Sequence, residues 1–212
     1  ILLTSIGEGA RQYILSEFTQ FGTTLLQIAP GKTRTTGPAG AMGGTVHPLS
    51  LADAVALARL PGVTRYVPVM IGNAKVEWGE RSRSVSVYGV NHDVPAVWKF
   101  PVRQGVFLPR GDPWQVPAVA VLGPKLKREL FGSENALGRY VRVSGQRFLV
   151  IGVMEAKGNF MGFDVDDLVY IPVVRARSLF NRDGLMEIDV LFANPAAERS
   201  VKKAITALLK SR

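Results

Sequence analysis

Three aspartates within four positions, Asp164, Asp166 and Asp167 in the stretch "GFDVDDLVYIP" (162–172), are the residues of this chain best spaced to do chemistry. Carboxylates at alternating positions can coordinate a hard cation such as calcium, or act as a general acid and base. A calcium loop of the common kind needs further oxygen ligands and a glutamate at its far end, whereas residues 168–175 read LVYIPVVR. The same acids suit a turn in which Asp164 and Asp166 accept backbone N–H bonds and Asp167 starts the following strand. The turn is the favoured reading. A metal-dependent hydrolase using Asp164, Asp166 and Asp167 is the enzymatic alternative.

No other constellation is as well formed. Gly31-Lys32-Thr33 has the tail of a phosphate-binding loop, but Leu26 stands where that loop needs its first glycine, and no helix follows directly. His47 and His92 lie in loop-like sequence beside no evident acid or nucleophile, there is no G-x-S-x-G elbow, and both are expected at the surface. The absence of cysteine excludes disulfides, thiolate nucleophiles and cysteine-ligated zinc. The expectation is a domain with no catalytic, metal or cofactor site. The net charge of +9 invites a nucleic-acid or anionic-membrane reading. Yet the charge is scattered, densest at "KLKRE" (125–129) and Arg81/Arg83, without the stacking aromatics of a nucleic-acid binder, so a solvated basic surface is expected and no nucleic-acid partner.

These side chains must be positioned by a folded chain of 212 residues, enough for one large domain or two small ones; 47% apolar and 20% charged residues exclude disorder as the default. No apolar run approaches the ~20 residues that span a bilayer. The chain begins without Met at "ILLTSIGEGARQYI" and reads as a piece of something longer.

Ser5 and Glu8 make a capping box ahead of Ala10, Tyr13, Ile14, Phe18 and Phe21 at helical spacing, with Gly22 as the C-terminal cap. "TTLLQIAP" is a short strand running into a glycine-rich stretch, 31–48. A second helix opens at Ser50, with Asp53 in its cap, and stops at Pro61-Gly62. "RYVPVMI", "AKVEW" and "SRSVSVYGV" read as strands, the last two joined by "GERS". From Asn91 to Pro117 the prolines, glycines, Trp98 and Trp114 read as irregular structure. "AVAVLG" is a buried-type strand. "PKLKRELFG" is a short helix between Pro124 and Gly132, and "RYVRVSGQRFLVIGV" a hairpin around Ser144-Gly145. The strands "LVYIPV" and "EIDVLF" follow, then a helix opened by Asn194-Pro195 with Val201, Ile205 and Leu208 on its buried face. The order helix–strand–helix–strand, a β-rich block, then strand–helix points to an α/β domain built from both chain ends around an insertion.

The segments "SIGEGARQYILSEFTQFGTTLLQIAPG", "PLSLADAVALARLPGVTRYVPV", "VYGVN", "QGVFL" and "VAVLGPKLKRELFGSENALGRYVRVSGQRFLVIGVME", followed by "DVDDLVYIPV", carry a resemblance over essentially the whole chain. The chain resembles the MacB-like periplasmic core domain of ABC-transporter permeases (MacB, FtsX and LolC type). The most specific signal is "LFG…LGRYVRVSGQRFLVIGV" with a following "DD.VYIP".

The resemblance implies a mixed α+β fold: a porter-like α/β subdomain from residues 1–90 and 185–212, with a small β-rich Sabre-like subdomain, 91–184, inserted. Ile1 to Thr4 would end one membrane helix and Arg212 would stand just before the next, placing the domain on the periplasmic side of an inner-membrane protein. It implies mechanotransmission of ATP-driven movement rather than catalysis. The implied partners are an ABC nucleotide-binding domain or subunit reached through membrane helices outside this chain, a periplasmic adaptor (membrane fusion) protein, and a second permease copy. Residues 31–48 and the aromatic region of Trp98, Phe100, Phe107 and Trp114 are the candidate partner contacts; core packing is the competing role for those rings. The functional alternative is a stand-alone extracytoplasmic module binding an anionic or lipid ligand.

Overall fold

One long strand, β2 (Val63–Trp78), runs through the centre of the architecture. The computed structural model describes residues 24–30, 48–160 and 163–212; the expected first helix, residues 31–47 and His47 lie outside the described residues. The first half of β2 pairs antiparallel with β11 (Glu187–Phe192), which pairs in turn with β1 (Leu25–Ile28). From Met70 onward β2 pairs instead with β3 (Arg81–Val90) across the two-residue loop Gly79-Glu80. Sequence alone splits this strand at Gly72-Asn73. It is continuous because the Phe180 ring lies over Gly72, filling the space a side chain would take.

The sheet continues through β10 (Leu168–Pro172), parallel to β3, then β5 (Val119–Leu122), β7 (Gln146–Met154) and β4 (Val102–Gly105), while β6 (Tyr140–Val143) pairs with both β2 and β7. The β6–β7 hairpin turns at Ser144 and Gly145, both with positive φ (48° and 83°), as a tight two-residue hairpin requires. β8 (Asn159–Phe160) and β9 (Phe163–Asp164) form a separate two-stranded ladder.

Strand alternation divides the core in two. Met70, Ala74 and Val76 of β2, Ile188 and Val190 of β11, and Val169 and Ile171 of β10 point to one face. There they meet α1 (Leu51–Leu57), α3 (Pro124–Phe131), α4 (Val173–Phe180) and α5 (Glu198–Lys210). Val67, Val69, Val121, Leu168 and Tyr170 point to the other face, covered by α2 (Val94–Val97), Trp98, Phe100 and Leu108. β5 and β10 are buried along their whole lengths, as expected of strands covered on both faces.

The caps predicted at Ser50 and Asn194 are present; those of the first helix, Ser5, Glu8 and Gly22, lie outside the described residues. Ser50 and Asp53 exchange side-chain and backbone hydrogen bonds, and Asn194 accepts from the Ala197 N–H ahead of α5. By sequence Val173-Val174 after Pro172 reads as more strand, yet these residues open helix α4; Asn181, left-handed at φ 49°, ends it. The segment from Asn91 to Pro117, read as irregular, contains α2 and β4. Among the described residues no helix is long and apolar enough to cross a membrane.

Helix α4 approaches the sheet closely because Gly89 has no side chain: a Cβ there would lie 2.3 Å from the Cβ of Ala176, which is fully buried. Gly89→Val is therefore expected to destabilise the fold by at least the 1–3 kcal/mol typical of overpacking, read as a lower urea midpoint. A midpoint equal to the parent's would show that α4 is not seated there.

Candidate functional site

The acidic turn is held by hydrogen bonds on every carboxylate oxygen. Asp164 Oδ1 accepts from the Asp166 N–H (3.1 Å), an Asx-type turn, and its Oδ2 accepts from Lys125 Nζ (2.6 Å). Asp166 reaches across to the 157–158 backbone, accepting from the N–H groups of Lys157 (2.8 Å) and Gly158 (3.0 Å). Asp167 takes the fork of Arg83, Nε at 2.7 Å and Nη2 at 2.5 Å, and also lies 3.3 Å from Lys125 Nζ. Asp167, expected to start the strand, does more than that: its side-chain partners are cations, brought from β3 and α3.

The turn's backbone is equally committed. Asp166 C=O accepts from the first N–H groups of α3, Lys125 (3.0 Å) and Leu126 (3.3 Å), and Leu168 C=O accepts from Gly123 N–H (2.8 Å). The turn thus caps a helix whose N-cap, Gly123, offers no side chain to do so. A Cβ on Gly123 would sit 2.2 Å from the Asp166 carbonyl oxygen, so only glycine admits this contact. The paired Arg83 hydrogen bonds, outweighing partial burial, hold the Asp167 carboxyl below the ordinary carboxylate range. Among the described residues no group of three His, Asp or Glu side chains is placed to hold a metal ion.

The four aromatic residues occupy different environments. Trp98 (9% exposed) and Phe100 (7%) are core residues, and Phe107 is half-buried with its ring 5.5 Å from that of Tyr170. Trp114 is 46% exposed, with the Arg177 guanidinium 5.4 Å from its ring centre. Trp98 Nε1 donates to Asp189 Oδ2 at 2.7 Å, a buried polar contact over 91 positions of sequence that no local pattern announces. His92 is not a surface residue: it is half-buried, with Nε2 3.5 Å from Asp93 Oδ1, and burial lowers its pKa despite that acid. Asp93 in turn accepts from Arg65 Nη1 at 2.8 Å.

This sheet with helices on one face and an irregular aromatic segment on the other has known counterparts. The profile of the MacB-like periplasmic core domain matches residues 1–208. The chain belongs to that family. It is 28% identical over 211 residues to the pyoverdine export ATP-binding/permease protein PvdT of Pseudomonas aeruginosa, covering 99% of this chain and 31% of that protein. It is 32% identical over 198 residues to the macrolide export ATP-binding/permease protein MacB of Marinobacter nauticus, covering 92% of this chain and 30% of the relative. The chain thus spans about a third of the length of these relatives. The crystal structure of the periplasmic region of MacB from Actinobacillus actinomycetemcomitans superposes with a TM-score of 0.73 at 23% identity, over 91% of this chain and 86% of that one. The extracellular domain of the noncanonic ABC-type transporter YknZ superposes with a TM-score of 0.69 at 20% identity, over 88% and 94%. These likenesses show a common fold.

In this MacB-like domain the acidic turn is a joint between β10, α3, β3 and the 157–158 loop. Asp166→Ala leaves two backbone N–H groups without their acceptor and is expected to cost about 1–3 kcal/mol in denaturant unfolding. The Asp167 contribution is full above the ordinary carboxylate range and is lost as pH falls through the lower folded value. Asp167→Asn should lack that part of the acid sensitivity, which thermal unfolding from pH 7 to pH 3 will read; an unchanged profile refutes the ion pair's role.

Proposed function

We propose that this periplasmic domain transmits ATP-driven conformational change across the inner membrane, for export or for work on periplasmic partners. The observation that carries the reading is the family match over residues 1–208, joined to relatives that are ATP-binding/permease export proteins three times as long. The reading includes an ABC nucleotide-binding partner, a second permease copy and a periplasmic adaptor.

We also propose the division into a porter-like subdomain (1–90 and 185–212) and a Sabre-like insertion (91–184). The ladder β1–β11–β2 is assembled from the two chain ends, and β5, β7 and β4 come from the middle. A transmitting part must be stiff along the direction in which it is driven. β2 supplies that property: its 16 residues span about 50 Å at ~3.3 Å per residue, pairing at one end with β11 and at the other with β3 and β6. Of the proposed contact residues, Trp114 has the exposed ring; Trp98 and Phe100 would act by shaping the segment that carries it.

Spin labels at the exposed Ser82 of each copy of the full-length permease, in membranes, should report different inter-label distances in the nucleotide-free and ATP-trapped states. Identical distance distributions would sink the transmission reading. Trp114→Ala in the same protein is expected to weaken adaptor co-purification without lowering the domain's melting temperature; unchanged capture removes Trp114 from the contact surface.

A further inference from the structure

Among the described residues, Asp189 is a buried acid with an unpaired side-chain oxygen. It lies on β11, between Gln27 of β1 and Val67 of β2 in the ladder, and is 4% exposed. Its Oδ2 accepts from the Trp98 indole, but its Oδ1 is buried with no hydrogen-bond partner. The groups facing it cannot neutralise a charge. Its own strand offers Glu187, also pushed up by burial and held by Gln27 Nε2 at 2.5 Å. From β3 comes Tyr88, whose hydroxyl is raised by burial and by Glu187, and from the covering segment comes Trp98. The β2 residues facing it are valines, except Arg65 further along, whose guanidinium is bound to Asp93 at 2.8 Å.

We propose that Asp189 and Trp98 form a pH-responsive clasp: the protonated carboxyl holds the Trp98 segment (94–100) on the sheet, and its ionisation releases that segment. An ionised carboxylate with an unsatisfied oxygen is heavily penalised in such a place, so the group keeps a proton instead. Burial chiefly, then Glu187, pushes its pKa up to about 7 against the opposing Trp98 hydrogen bond. The covering segment carries backbone strain that its release would relieve. Lys99, between Trp98 and Phe100, is held at φ +53°, a left-handed conformation that a non-glycine residue keeps only while its surroundings enforce it. Trp98 enforces it by packing edge-on against Tyr88 (6.3 Å) and Phe100 (6.1 Å) while its N–H is tied to Asp189. An asparagine would make the same hydrogen bond without titrating, so the carboxyl is what makes this packing depend on protons. The clasp stands independently of the transmission reading.

The sign follows from the raised pKa. The closed form binds a proton that the open form, with an ordinary carboxyl, releases, so closure is fully favoured below the ordinary carboxylate range. It weakens as pH rises through the folded value and then levels off. His92, lowered by burial, acts with the opposite sign, so the readout is the difference between parent and Asp189→Asn.

The test is hydrogen exchange of the Trp98 indole N–H in the 212-residue chain, followed by NMR and normalised to intrinsic exchange. In the parent the protection factor should fall about tenfold per pH unit between about pH 5 and 7 and then flatten. In Asp189→Asn it should stay high and level, and Glu187→Gln should move the transition to lower pH. A parent profile flat from pH 5 to 7, or the same slope in Asp189→Asn, overturns the clasp. Should Asp189→Asn fail to fold, the carboxyl carbon shift of Asp189 in the parent decides: titration in the ordinary carboxylate range rejects the proposal.

Discussion

The uninterrupted run of β2 is the constraint to which the other layers are registered. A strand presents alternate residues to opposite faces, so once β2 is in register with both β11 and β3, each neighbour's inward and outward residues are settled as well. A slip of one residue would turn Met70, Ala74 and Val76 away from the helices and send Val67 and Val69 into them. The hydrophobic contents of both cores therefore hold β2 in place, and β2 aligns strands drawn from both ends and the middle of the chain. The bare face of Gly72 under Phe180 and of Gly89 under Ala176 lets α4 lie close over β2 and β3 without breaking either strand.

Charge is used sparingly but structurally. The acidic turn gathers Arg83 from β3 and Lys125 from α3 around Asp164 and Asp167, while Asp166 serves backbone amides of the 157–158 loop. Each contact alone is a modest, solvent-screened interaction. Together they fix the one place where a helix start, a strand start and a loop meet, and the glycine at 123 removes the steric bar to that meeting. The residues that looked most capable of reacting are occupied in holding a joint, consistent with a family whose named members are permeases.

The opposite face contains a buried polar contact, Trp98 to Asp189, where apolar packing alone would have been simpler. In the proposed clasp this acid, beneath the covering aromatic segment, ties the attachment of that segment to pH. The two faces of one sheet thus differ in kind: helices packed through small residues on one side, and a proton-dependent cover on the other.

Local features were legible in the sequence because their causes are local. Ser50 with Asp53, Pro124 with Gly132, Ser144-Gly145 and Asn194-Pro195 each act over a few residues, and each is found as read. The family was legible too: the resemblance carried by the order of segments and by "LGRYVRVSGQRFLVIGV" agrees with the family match over residues 1–208. The parallel pairing of β10 with β3, the Arg83–Asp167 fork and the Trp98–Asp189 bond join residues 82, 84 and 91 positions apart. No periodicity reports such contacts, because they depend on which strands become neighbours. Helix α4 was hidden for the same reason: eight residues opening on two valines have little helical preference of their own, and they are helical because Gly89 leaves room for Ala176. In "GFDVDDLVYIP" composition and spacing determined that the acids would make a turn. The tertiary fold alone decided that Asp167 would face Arg83, since only the sheet brings β3 to it.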